Sequence, residues 1–224
     1  MLTRPQAGRA RTARRQVDVL ASIPAVSLST EVFRFAICRD DDEFLQRLGL
    51  DDAGVAELKE LLDTAGGGDW LDELLDAPFR ARPRICRHGF DVTRFSDGSF
   101  PIFYCSQDAA TAEAEARHWF VKFAGRPRGK RLAYYRRFRC TFAGDVKDLV
   151  PMGGEWPGLT DRTDYRFCND LGKEARKANL HGLLAPSVRR AEGVNLPVFR
   201  RSAVSAPEIL EVVRFDVSAP PEPS

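Results

Sequence analysis

An α+β domain is what this sequence predicts, and three features of its texture predict it. From Phe79 onward the chain breaks into short β-like runs separated by turn residues. Only two long helical patterns interrupt those runs. The helices also fail to alternate with the strands one for one, as regular βαβ winding requires. A length of 224 residues suits one domain with an appendage.

Residues 1–15 carry five Arg and no acid, and read as a disordered basic arm; an organellar leader is the alternative such an Arg-rich start allows. Residues 16–38 mix short apolar runs without a clear period. From Asp40 the texture turns helical: DDDEFLQRLGL, then DDAGVAELKELLDTAGGG with an Asp start and a triple-Gly stop, then DWLDELLDAP up to Pro78. Leu58, Leu61 and Leu62, then Leu71, Leu74 and Leu75, supply an apolar stripe per helix. Residues 16–78 are therefore expected to be a helical N-terminal extension capping a main domain at 79–217.

Within that domain, the turn SDGS (96–99) feeds a buried strand, FPIFYCS (100–106). A helix follows from near Asp108 to Gly125, then a long β arm, RLAYYRRFRCTFAG (131–144). Residues 160–179 read as a second helix. HGLLAPS (181–187), NLPVFRR (195–201) and EILEVVRFDV (208–217) read as strands, and 218–224 form a Pro-rich disordered tail.

Composition excludes several classes. The chain is 43% hydrophobic and 29% charged, ordinary for a globular protein, and no run approaches the roughly 20 apolar residues that span a bilayer. The net charge of +2 becomes −3 once the arm is set aside. That argues against direct nucleic-acid binding, although the basic runs 80–87, 125–131 and 134–139 interleave with aromatics; they suit an anionic dinucleotide or an acidic partner better. Five scattered cysteines, none in a CxxC, predict reduced thiols and a cytoplasmic location. His88, His118 and His181 have no metal-ligand spacing, so no metal is expected.

The informative residues are Arg94-Phe95-Ser96-Asp97-Gly98, then Tyr104, then Thr111-Ala112 with Glu115, and later Gly182 to Ser187 with Asn195 and Phe199. Singly they are ordinary: a surface arginine before a turn, a core ring, a turn serine. Their order and spacing, "RFS-x-G", "Y…TA-x-x-E" and "GLL-x-PS…G-x-NL-x-x-F", resemble the RES domain, over residues 79–217. The resemblance does not extend to the first 78 residues.

That resemblance implies an ADP-ribosyltransferase-like mixed β core with flanking helices. It implies the toxin half of a toxin–antitoxin pair, neutralised by an Xre-type helix-turn-helix antitoxin protein. NAD would be a substrate and not a recycled cofactor, its nicotinamide–ribose bond broken by phosphorolysis, by hydrolysis or by ADP-ribose transfer to a protein acceptor. Glu115 would stabilise the ribosyl cation and Arg94 hold phosphate, with Arg80 assisting as the early arginine of the family. Tyr104 would pack on nicotinamide or bond ribose, and Ser187 and Asn195 would orient the substrate. Ser187 lies in APS and not in a GxSxG elbow, which argues against a nucleophile. Helical periodicity alone nominates Glu113, not Glu115, as the buried acid, and only the TA-x-x-E spacing selects Glu115. A non-catalytic module binding a nucleotide or a protein is the alternative from another class.

Overall fold

The computed structural model describes residues 20–38, 50–65, 69–83, 86–125 and 131–217. The predicted arm, the tail and the helical reading of 40–49 lie outside them. The elements are β1 (Ala25–Ile37), α1 (Asp52–Ala65), α2 (Asp69–Asp76), β2 (Phe103–Ser106), α3 (Ala109–Ala124), β3 (Leu132–Asp148), α4 (Arg166–Lys177), β4 (Gly182–Pro186), β5 (Val194–Val198) and β6 (Val204–Asp216).

The six strands run β1-β2-β5-β4-β3-β6, and β1 also pairs with β3. That extra pairing closes β1, β2, β5, β4 and β3 into a ring, with β6 laid along β3 outside it. The closure is long: β1 runs antiparallel to β3 from Ala25↔Lys147 to Ile37↔Tyr135. The β3–β4 contact is parallel (Val146↔Gly182), and the helix α4 makes the crossover that a parallel pair needs.

Alternation along the strands sorts side chains onto two faces. One apolar cluster takes Val32, Phe103, Phe142, Leu184 and Leu196, one or more from each strand of the ring, together with Leu75 of α2. The opposite face carries Tyr104 and Ser106 of β2 and Asn195 of β5. Outside the ring, α4 packs Cys168, Leu171 and Ala175 against Leu183, Ala185 and Phe199. Helix α3 sets Ala112 and Phe120 against Phe35, Ala133 and Phe215.

The α+β class is as the sequence predicts, and the strands and helices of the main domain fall where they are expected. The helical reading of 16–78 is corrected: its first described part contains β1, a full member of the sheet. Its period is hidden because the strand begins half-exposed and then uses both faces, with Val32 in one core cluster and Phe35 in another. Helices α1 and α2 do form and bury Val55 and Leu75, but Leu61 faces solvent, so the α1 stripe is narrower than expected. All five cysteines are free and buried. No helix among the described residues is long and apolar enough to cross a membrane, and no group of three or more metal-binding side chains occurs among them.

Candidate active site

A carboxylate and a guanidinium, both nearly closed off from water, meet on the face opposite the ring's apolar cluster. Helix α3 brings the first. Asp108 caps its N-terminus, accepting from the Thr111 backbone N–H at 2.8 Å and from the Thr111 hydroxyl at 2.6 Å. Two turns later Glu115 is 8% exposed, against the sheet. Glu113 points away and pairs with Arg117, one turn on. Of the two acids Glu115 is the buried one: the inner face of α3 runs through Thr111, Ala112, Glu115 and Phe120.

Glu115 is held by two donors on one oxygen. Ser187 Oγ donates to Oε1 at 2.9 Å and Asn195 Nδ2 donates to the same atom at 2.6 Å. The direction of the serine bond follows from its surroundings. Its oxygen accepts the backbone N–H groups of Arg189 and Arg190, so its proton is left for the carboxylate. Oε2 makes no hydrogen bond among the described residues. Behind Asn195, the Ser106 hydroxyl donates to Oδ1 at 2.8 Å. Ser187 and Asn195, which the resemblance implies orient substrate, both bond the carboxylate.

The β4–β5 connection reaches α3 because Gly193 has no side chain: a Cβ there would lie 2.4 Å from Thr111 Oγ1. Arg190 crosses the same gap to Asp108.

Arg94 comes from the turn before β2. Helix α4 fixes that turn from below, Asn169 Nδ2 donating to the carbonyls of Thr93 (3.2 Å) and Arg94 (2.8 Å). At Gly172 the helix comes so near that a Cβ would sit 2.0 Å from the Phe95 carbonyl oxygen. Arg94 itself is 4% exposed, and its Nη1 donates to the Pro186 carbonyl, next in sequence to Ser187. Nε and Nη2 are buried without a hydrogen bond of ordinary geometry. Tyr104 lies between these two charges. Burial pushes its phenol up, the Glu115 charge adds to that and Arg94 opposes it, so it is a neutral hydroxyl at physiological pH. Burial also raises the Cys168 thiol beside Arg94, which makes it an unreactive neighbour.

Of the residues named from the sequence, Arg94, Tyr104, Glu115, Ser187 and Asn195 are brought together. Arg80 is not: it lies 59% exposed, donating to Glu73 at 2.6 Å and facing Asp76 on α2. Phe199 is a core ring against Phe100. Two contributors were missed. Ser106 is a buried hydroxyl whose only sequence signal is its place two residues after Tyr104, on the same strand face. Arg189 bonds the Tyr165 hydroxyl and the Arg162 carbonyl, and its charge helps burial to lower the His118 imidazole beside Glu115.

A mixed α/β fold that brings a buried carboxylate and a buried arginine to the same tyrosine defines a class, and comparison with known proteins gives that class its name. The family model of the RES domain matches residues 61–218, and the chain belongs to that family. In the crystal structure of the M. tuberculosis MbcT–MbcA toxin–antitoxin complex, one chain is similar over 91% of this chain and 92% of its own, with a TM-score of 0.52 and 14% identity. That likeness is one of fold. No curated protein matches the chain.

Proposed function

We propose that this RES-domain protein is a toxin that cleaves the nicotinamide–ribose bond of NAD, passing ADP-ribose to phosphate or water, and that a cognate Xre-type antitoxin neutralises it. The observation that carries the reading is Glu115, a buried carboxylate fixed on one oxygen by Ser187 and Asn195, with the other oxygen free.

In the reaction, the bond between ribose and the nicotinamide nitrogen breaks with its electron pair going to nicotinamide, which leaves neutral. Positive charge then spreads over the ribose ring. A preorganised carboxylate lowers that barrier, because it needs no reorientation when the charge appears. Oε2 is the oxygen available to it. Arg94 supplies the positive charge that attracts the pyrophosphate or an incoming phosphate. Tyr104 offers a ring face to nicotinamide and a neutral hydroxyl to ribose. Phosphate closes the sequence by forming ADP-ribose-1″-phosphate; water closes it by forming ADP-ribose and releasing a proton. The toxin–antitoxin pairing of the fold neighbour supports the expectation of a protein inhibitor, and the reduced, buried thiols fit a cytoplasmic site of action.

The test is a mass-resolved assay of purified protein with NAD, with and without phosphate, beside Glu115→Gln. Nicotinamide release that the variant loses supports the reading, and the companion product separates phosphorolysis from hydrolysis. Modification of an added protein fraction in place of free product would identify a mono-ADP-ribosyltransferase. NAD bound without turnover in any condition would overturn the enzyme and leave a binding module.

A further inference from the structure

The hydroxyl of Ser106 has no reason to be where it is if β2 is only a core strand. The residue is 1% exposed, and its partner Asn195 is 0% exposed. A buried polar side chain costs stability unless it is hydrogen-bonded, and an apolar pair would fill this ladder position at no such risk. Ser106 and Asn195 are direct cross-strand partners in the β2–β5 ladder, so their side chains share a face. On the other flank of β5 the partner of Asn195 is Ala185, which has nothing to bond with.

The carboxamide therefore spans two groups of different kinds. Its Nδ2 meets the Glu115 carboxylate, which accepts only; its Oδ1 meets the Ser106 hydroxyl, which donates. The hydroxyl takes up the far end of the amide, and its donation to Oδ1 polarises the N–H aimed at the carboxylate. From this geometry we infer that Ser106 is a positioning residue for Glu115, acting through the Asn195 carboxamide to hold Oε1 and so to set which carboxylate oxygen faces the substrate. This rests on the role proposed above for Glu115. Ser106 touches no reacting atom, and its effect reaches the reaction only through Asn195.

Other groups facing Glu115 do not replace this anchor. His118, on the same helix, is held toward its neutral form by burial and by Arg189. Tyr104 is a neutral phenol. Ser187 shares Oε1 but arrives from the β4–β5 connection, on a different element.

The experiment is a double-mutant cycle on NAD cleavage with wild type, Ser106→Ala, Asn195→Ala and the double variant. The bond lost joins two neutral groups and leaves a buried amide oxygen without its donor, which corresponds to about a fivefold to hundredfold change. Ser106→Ala is expected to lose that much kcat, with KM within about threefold of wild type, since the interaction serves the transition state. In the Asn195→Ala background the same substitution should change kcat by no more than about twofold. A wild-type rate for Ser106→Ala, or an equal loss in both backgrounds, overturns the inference.

A second readout is independent of turnover. With selective 15N labelling of asparagine, the Asn195 side-chain amide should exchange slowly in the wild type and lose that protection in Ser106→Ala. Unchanged protection overturns the anchor whether or not NAD is cleaved. Absence of NAD cleavage by the wild type, with protection lost in the variant, overturns the catalytic reading and leaves the anchor standing.

Discussion

Arg94 and Arg80 lie in two regions that treat positive charge in opposite ways. Arg80, on the exposed flank of α2, faces Glu73 and Asp76, and its neighbour Arg201 is likewise paired with Asp72 and Asp76. The basic run on β3 is similar: Arg137 meets Glu211, and Arg139 meets Glu31 and Glu208. These guanidiniums are neutralised where they stand. Arg94 is buried, has one carbonyl acceptor, and otherwise has only the neutral Tyr104 phenol and Cys168 thiol beside it. Burying a cation without completing its bonds is unfavourable, and it survives only where the surrounding structure over-determines it. Asn169 and Gly172 of α4 do that here. Sequence density of arginine is thus a poor guide to where an anion would bind; burial without a carboxylate partner, as at Arg94, is a better one.

The contrast can be broken by substitution. The largest effect is expected at Glu115: Glu115→Gln should lower NAD cleavage about a thousandfold with little change in thermal midpoint, as scanning calorimetry beside the assay would show. Next, Arg94→Ala should reduce kcat/KM about a hundredfold, read from initial rates over a range of NAD concentrations. Gly172→Ala tests the support under Arg94. Its Cβ meets backbone, so about 2 kcal/mol or more of unfolding free energy should be lost in urea titrations.

A smaller effect concerns Asp97, in the same turn. Lys173 and then Ser99 hold its carboxyl well below the usual range. A folded-state value lower than the unfolded one contributes stability above the unfolded value, about pH 3.9, and loses it as pH falls toward the folded one. Wild type should therefore be slightly more stable than Asp97→Asn at pH 5, and the difference in urea midpoint should shrink steadily as pH falls below roughly 4. Smallest of all, Arg80→Ala should leave NAD cleavage within about twofold and stability within about 0.5 kcal/mol, because exposed pairs contribute little. An Arg80 variant as damaged as Arg94→Ala would erase the distinction between the two regions.

Much of this was legible in the residues. The Asp108 cap and the turn at Gly125 mark both ends of α3. The β-rich runs after 131 and 181 correspond to β3 and β4, and five of the six site residues converge. What was not legible depends on distance along the chain. The β1 strand is defined by a partner more than a hundred residues away, and its residues serve two cores, so no single period shows. Glu115 is buried where projection favoured Glu113, because α3 packs on its Thr111–Glu115 edge as well as on its apolar stripe. Ser106 ends an apolar run, and only the placement of Asn195 opposite it gives its hydroxyl a partner. Arg80, named by its position in the sequence, stands apart from the other five, its charge answered by local acids.

The long β1–β3 ladder has a consequence for how the protein is made. Ala25 pairs with Lys147, so the first strand of the ring leaves the ribosome with no partner and waits for more than half of the chain. The carboxylate waits longer still: Glu115 emerges well before Ser187 and Asn195, the two groups that fix it. Contacts so distant in sequence slow folding, and an unpaired strand edge invites association in the interval. A shortened chain cut to the family-matched span, 61–218, would lack β1 and expose the whole β3 edge from Tyr135 to Lys147. During synthesis, then, the Glu115 carboxylate stays without its two donors until β5 has been translated.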